Sequence, residues 1–163
     1  MVVPGLSACA FPQRVAFHSF SIDGRYDNWS ETIDLLAFDY GSKNYHLSNA
    51  VDDPNYMFYK ENKTSLPPTE NTHGYIPVGE YLYVKWRVKE TGEVLSERVD
   101  LRPILPYDMD HHTVTFVIDG RQLYVYLVTP KYGPGYPIKK LRTALSESSL
   151  TYELFPNNTY PLN

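Results

Sequence analysis

The chain has 163 residues, a length that suits one ordinary domain with a continuous core. Its formal net charge of -4 argues against the clustered basic surface that nucleic-acid binding requires, and no run of about 18 apolar residues predicts a membrane-spanning helix. The 15 tyrosines raise the aromatic fraction to 15%, a composition that favours β-strands over long helices.

Two strands are predicted near the front of the chain. The stretches "RVAFHSFSIDG" and "TIDLLAFDYG" are rich in apolar and aromatic residues, and each ends in a turn signal. In the first stretch the apolar residues change parity between Phe17 and Phe20. We therefore expect a β-bulge near His18 and Ser19.

The stretch "EYLYVKWRVK" alternates strictly and predicts an antiparallel strand with one wet face. The inward residues are Leu82, Val84, Trp86 and Val88, and the outward residues are Tyr81, Tyr83, Lys85 and Arg87. The short segment "ETG" then connects this strand to "EVLSERVDL", which predicts a hairpin.

The clearest hairpin signal is "TVTFVIDGRQLYVYLVTP", residues 113 to 130. A two-residue turn at Asp119-Gly120 would place Ile118 opposite Arg121 and Thr115 opposite Tyr124. Further along, "PIKKLRTALSES", residues 137 to 148, has helical spacing, and "LTYELF" predicts a last strand.

These elements predict a mainly β fold, an antiparallel β-sandwich or open barrel with at most one or two short helices. Residues 14–163 would form a single β-rich domain. Three segments, 52–79, 102–112 and 129–137, are predicted to be loops because Pro, Gly and Asn punctuate them. Loops on a rigid sheet are frequent binding sites.

The sequence gives little support for a catalytic site or a metal site. His111 and His112 are adjacent, so on an extended segment their side chains point to opposite faces and cannot share a metal ion with Asp108 and Asp110 without a turn. The chain has no G-x-S-x-G motif, and Cys9 has no structured base nearby. We expect no enzyme activity, no metal and no cofactor.

A tyrosine-rich strand face offers a binding alternative. Tyr81 and Tyr83, together with Tyr124 and Tyr126 if the two ribbons are neighbours, could form a recognition surface. Tyrosines opposite threonines are also ordinary stabilisers of a sheet, and this second interpretation stays open.

The only cysteine lies in "LSAC", residues 6 to 9. This quartet resembles the lipobox of bacterial lipoproteins, in which the cysteine is lipidated and becomes the mature N-terminus. The preceding "MVVPG" is shorter than a signal peptide. We therefore expect residues 1–13 to be a truncated lipoprotein signal and tether, with Cys9 as the lipidation site. The resemblance implies a periplasmic protein anchored to the outer membrane, with Ala10 permissive for that sorting.

A second resemblance covers about residues 80 to 130. "YLYVKWRVKETGEVLSERVDLRPILP" and "HTVTFVIDGRQLYVYLVTP" look like a group of small bacterial lipoproteins that serve as immunity proteins to phospholipase effectors of the type VI secretion system. The resemblance implies that this chain binds and neutralises such a lipase effector. The expected contact residues lie in the predicted loops and are Tyr107, Asp108, Asp110, His111, Tyr132 and Tyr136.

Two other functions remain open. One is a structural or assembly lipoprotein of an envelope secretion complex. The other is a carbohydrate-binding sandwich that uses exposed tyrosines and Trp86 or Trp29 as stacking platforms. The inward parity of Trp86 already counts against it.

Overall fold

The computed structural model describes residues 13–53, 64–133, 141 and 148–161. This part of the chain contains nine strands, which are β1 (Val15–Asp23), β2 (Ile33–Ser42), β3 (Tyr45–Ala50), β4 (Thr69–Pro77), β5 (Tyr81–Val88), β6 (Val94–Asp100), β7 (Thr113–Asp119), β8 (Gln122–Tyr132) and β9 (Ser149–Phe155). They form a five-stranded sheet with the order β4-β1-β7-β8-β9 and a four-stranded sheet with the order β3-β2-β5-β6.

The two sheets pack face to face, which confirms the predicted β-sandwich. On the inner faces the rings of Phe20 on β1 and Tyr40 on β2 stack, with centroids 5.1 Å apart. Trp86 on β5 also connects the sheets, since its indole N–H donates to the carbonyl of Gly120, 2.9 Å away. Both sheets therefore bury one apolar face in a common core.

One neighbouring pair is parallel, so the five-stranded sheet is mixed. β1 runs parallel to β7 through the pairs Ser19–Thr113 and Phe20–Val114, whereas the other pairs are antiparallel. These two strands are far apart in the sequence. Local alternation does not show which distant strand lies beside another, so the sequence did not predict this parallel pair within the otherwise antiparallel sandwich.

The predicted bulge in β1 is absent. β1 pairs with β4 in an uninterrupted register from Val15–Pro77 to Asp23–Thr69. The parity does not change because His18 is the inward residue that continues the series of Phe20 and Ile22. A polar residue on the core face made the regular alternation look broken.

His18 is satisfied inside the core. Its neutral ring donates from Nδ1 to the carbonyl of Ala16 at 2.9 Å and accepts at Nε2 from the Tyr40 hydroxyl, also at 2.9 Å. Both side chains are buried. In a charged ring both nitrogens are donors, so the Tyr40 hydroxyl could no longer donate to Nε2 and the second bond would have to reverse.

Acid should therefore destabilise the protein through His18. Burial lowers the pKa of His18 below 6.5, so below about pH 6.5 the unfolded chain binds more protons than the folded protein. The free energy of unfolding should be highest above that pH and fall below it, by at most about 1.4 kcal/mol per pH unit from this group. Denaturant unfolding at pH 7.5 and 5.5 measures this.

The matched variant for this prediction is His18→Gln, which keeps a polar side chain and does not titrate. Its loss of stability between the two pH values should be smaller than that of the wild type. An equal loss in both proteins would assign the acid sensitivity to other groups.

The β7–β8 hairpin is present, but its turn lies one residue later than predicted. Gly120 and Arg121 form the two-residue loop, and Asp119 pairs with Gln122. Gly120 has a φ of 58°, a value that glycine adopts without steric cost at the first position of such a turn. The strand partners are shifted by two residues as a result, so that Thr115 faces Tyr126, while each side chain stays on its predicted face.

Two predicted loops contain regular strands. Residues 69 to 77 of the segment 52–79 form β4, and residues 129 to 132 of the segment 129–137 are the end of β8. β4 escapes detection because it contains Gly74 and few β-branched residues. The predicted helix lies outside the described residues except for 141 and 148, and so do Cys9 and Tyr136. Within the described ranges, no helix has the length and apolarity needed to span a membrane.

Candidate functional site

Exposed apolar side chains, most of them aromatic, gather where β1 begins and β4 ends. Val15 and Tyr75 are 58% and 80% exposed, and Tyr107 in the segment after β6 is 91% exposed. We call this surface the aromatic patch. It consists of Val15, Phe17, His73, Tyr75, Tyr107 and His111.

Strand alternation places the first half of the aromatic patch. Phe17 lies within β1, and its side chain is on the face opposite to that of His18. Its pairing partner on β4 is Tyr75. The two rings meet edge to face, with centroids 5.2 Å apart and planes at 71°. His73 lies on the same face of β4, with its ring 6.4 Å from that of Phe17. The outer surface of this strand pair is therefore an aromatic ladder.

The segment after β6 supplies the second half and is tied to β1 by its backbone. The N–H of His111 donates to the carbonyl of Phe17 at 2.6 Å, and the Asp110 carboxylate accepts from the N–H of Phe17 at 3.2 Å. His111 has a φ of 59°, which turns its ring to within 5.3 Å of the Phe17 ring. Asp108 in turn accepts from the N–H of Asp110 at 3.0 Å. The two aspartates thus shape the loop that carries the aromatic residues.

Arg14 holds the position of Tyr107. Its guanidinium donates to the carbonyls of Pro106 and Tyr107, at 3.2 and 3.3 Å, and lies 5.9 Å from the centre of the Tyr107 ring. The neighbouring Met109 is buried and anchors the segment in the core. Tyr107 is therefore presented to solvent from a fixed backbone.

The structure brings together four of the six residues that the sequence predicted for partner contact. Tyr107, Asp108, Asp110 and His111 lie in one loop beside β1. Tyr132 is 89% exposed at the end of β8, which β7 separates from β1 in the sheet order. Tyr136 lies outside the described residues.

Sequence reasoning missed the contribution of β1 and β4. Phe17 was predicted to lie just before a β-bulge, so its face of the strand was not defined relative to that of Phe20. Tyr75 fell in a predicted loop. The alternation of exposed Asn71, His73 and Tyr75 along β4 is the signal that could have identified the aromatic ladder.

A second surface lies on the outer face of the four-stranded sheet. Tyr81 and Tyr83 are on this face with Lys85 and Arg87, as predicted, because the alternate positions of β5 are buried. Tyr124 and Tyr126 belong to the other sheet. The condition for one surface of all four tyrosines, neighbouring ribbons, is therefore not met, and Tyr126 is itself buried.

Tyr81 is fixed by a polar cluster. Its hydroxyl donates to the Asp39 carboxylate at 2.5 Å and lies 2.8 Å from Nδ1 of His46. The ring crosses β2 at Gly41, where a Cβ atom would come within 2.6 Å of the ring. Burial and the hydrogen bond to Asp39 raise the pKa of Tyr81 to about 12. The hydroxyl is therefore a stable hydrogen-bond donor at physiological pH.

The tryptophans cannot serve as sugar platforms. Trp29 and Trp86 are both buried, at 3% and 2% exposure. Stacking against a carbohydrate requires an exposed ring face. The carbohydrate hypothesis based on these two residues was wrong.

No cluster of three or more His, Cys, Asp or Glu side chains in the described ranges is arranged to hold a metal ion. Comparisons of the chain with protein-family models, with curated proteins and with solved structures find no match. The aromatic patch and the polar sheet face are therefore interpreted from their own chemistry.

Proposed function

We propose that this chain is a binding protein of the bacterial envelope that neutralises an antibacterial lipase effector of the type VI secretion system. The aromatic patch is the proposed contact surface. The effector class rests on the resemblance of residues 80 to 130 to immunity lipoproteins. The choice of surface rests on the exposure of Tyr75 and Tyr107.

The composition of the aromatic patch supports a protein partner. Contiguous exposed apolar surface on a soluble domain often marks an interaction site, and tyrosine is enriched among the residues that contribute most to binding. A tyrosine brings a large apolar ring, a polar tip and few rotatable bonds. Tyr75 and Tyr107 thus have the character of interface anchors.

The support beneath the aromatic patch favours tight binding. Phe17 and Tyr75 stand on paired strands, and Tyr107 is held by the carbonyl contacts of Arg14. Residues that are already ordered lose little conformational freedom when a partner binds. Inhibition by occlusion needs such a rigid surface and no catalytic group.

The proposed location follows from the lipobox resemblance at Cys9. A diacylated cysteine would hold the domain at a membrane on the periplasmic side, where a secreted lipase acts on its substrate. Cys9→Ala is expected to abolish incorporation of labelled fatty acid when the chain is expressed with a complete lipoprotein signal. Labelling of the Cys9→Ala protein at the wild-type level would refute the anchor.

Co-purification tests the proposed function. A type VI lipase effector, sought first among the products of the neighbouring genes, is expressed with the tagged chain, and a stable complex is expected, with inhibition of phospholipid hydrolysis by the purified chain. Failure to bind or inhibit that lipase would reject the immunity function. Recovery of envelope secretion components in place of the lipase would favour the assembly alternative.

A further inference from the structure

A groove lies at one end of the four-stranded sheet, where β5 begins and β6 ends. It encloses about 470 Å³, a size within the range of small-molecule sites. We call it the rim cleft. Its lining residues are Ser42, Lys43, His46, Glu80, Tyr81, Arg98, Asp100 and Arg102.

Basic side chains in the rim cleft come from three separate elements. Lys43 lies in the β2–β3 turn, Arg98 on β6, and Arg102 in the turn that follows β6. Neither Lys43 nor Arg98 forms an ion pair with a carboxylate of the described residues. This concentration of basic groups is local, because the chain as a whole has a net charge of -4.

Arg98 is held in place before any ligand arrives. Its guanidinium carbon lies 3.7 Å from the centre of the Tyr81 ring, a cation–π contact. The ring itself is fixed through its hydroxyl by Asp39 and His46. The stacked guanidinium keeps N–H donors at its edge, so it can bind an oxyanion without first losing side-chain freedom.

Arg102 is also oriented by its neighbour. Nε and an Nη of Arg102 donate to the two carboxylate oxygens of Asp100, at 2.9 and 2.7 Å. These bonds lower the pKa of the Asp100 carboxyl, so it stays ionised and occupied by Arg102. Arg102 also lines an adjoining groove of about 310 Å³ together with Arg14 and Lys43, which extends the basic surface.

We propose that the rim cleft binds a phosphate group. A phosphate presents several oxygens in different directions and suits donors that approach from three elements. Arginine and lysine are the usual partners of phosphate in proteins. The phosphate can come from a free phosphorylated compound or from a phospholipid headgroup, and the chemistry of the site is the same for both. This site does not depend on the proposed function.

Glu80 allows a test of the direction in which a charge change alters the affinity for phosphate. Its carboxylate lines both grooves and accepts no hydrogen bond from a side chain of the described residues. A bound phosphate would be repelled by this charge. Glu80→Gln should therefore strengthen phosphate binding, whereas loss of a basic residue should weaken it.

Titration calorimetry with inorganic phosphate at constant ionic strength measures this binding. We expect saturable binding to the full chain, weakened about tenfold by Lys43→Gln or Arg98→Gln, since a hydrogen bond to a charged group contributes about a factor of ten or more. Glu80→Gln should tighten it. The matched control is Arg121→Gln, which removes a cation from the β7–β8 turn at the opposite end of the sandwich and should leave the affinity unchanged.

Vesicles separate the two sources of phosphate. The ligand is an anionic headgroup if the wild type binds phosphatidylglycerol vesicles and does not bind phosphatidylcholine vesicles. The Lys43→Gln and Arg98→Gln variants should then no longer bind the phosphatidylglycerol vesicles. Binding of inorganic phosphate without vesicle binding assigns a soluble ligand. No saturable binding of either probe, or an equal loss in the Arg121→Gln control, would overturn the proposal.

Discussion

Replacement of Trp86 by alanine is expected to lower the free energy of unfolding by about 3–5 kcal/mol, as for other large aromatic residues removed from a core. The indole is buried and joins the sheets through its hydrogen bond to the carbonyl of Gly120. Alanine would leave a cavity between the sheets and an unpaired acceptor at the β7–β8 turn. Denaturant unfolding measures the change, with far-ultraviolet circular dichroism as the signal because it does not depend on the removed tryptophan's fluorescence.

One variant separates the causes of this loss of stability, and a second is a control at an exposed position. Trp86→Phe keeps most of the apolar volume and removes the hydrogen bond, so its loss should be smaller than that of the alanine variant. Tyr26→Ala truncates a 55% exposed aromatic residue and should change stability by less than about 1 kcal/mol. An alanine variant as stable as the wild type would contradict the placement of Trp86 between the sheets.

The double variant Tyr75→Ala, Tyr107→Ala is expected to weaken binding to the proposed lipase effector at least about 100-fold. Each truncation removes an exposed anchor, and anchors of this kind contribute about 2 kcal/mol or more. Both side chains are largely exposed, so the fold should be retained. Affinity measured by surface plasmon resonance, with the circular dichroism spectrum as the folding control, tests this.

Tyr26→Ala is the matched control for binding. Tyr26 lies three residues after the end of β1 at Asp23, so it is at the opposite end of that strand from the aromatic patch. Its loss should leave the affinity unchanged. Tyr132→Ala measures how far the contact surface extends toward β8, where the sequence had also predicted a contact. Unchanged affinity of the Tyr75 and Tyr107 double variant would remove the aromatic patch as the binding surface.

The parts of the fold that could be predicted are those with strict local alternation. The stretch around Trp86 alternates without exception, so its buried and wet faces are those expected from the sequence. The β7–β8 hairpin carries a Gly-containing turn signal, and its existence was also predictable. In both cases the information lies within about ten residues of chain.

The parts that could not be predicted depend on distant partners. His18 is inward because Tyr40, which lies on the other sheet, satisfies its ring, and a polar residue gives no sign of such a partner in the sequence. β4 is stabilised by its long pairing with β1 and has little strand propensity of its own.

The same dependence applies to the candidate site. Tyr107 and His111 could be singled out as exposed loop residues. Their union with Phe17 and Tyr75 requires the hydrogen bonds between the loop and β1 and the register of β1 with β4. Neither relation is encoded in a motif. The rim cleft likewise joins three elements that no local pattern connects.

Hydrogen exchange of the complex tests the central claim most directly. Amide exchange is compared for the free chain and for the chain bound to the proposed lipase effector. The proposed contact predicts added protection at residues 73 to 77 and 105 to 112, with no change around Tyr26. Protection confined to residues outside the aromatic patch, or no difference between the two states, would contradict it.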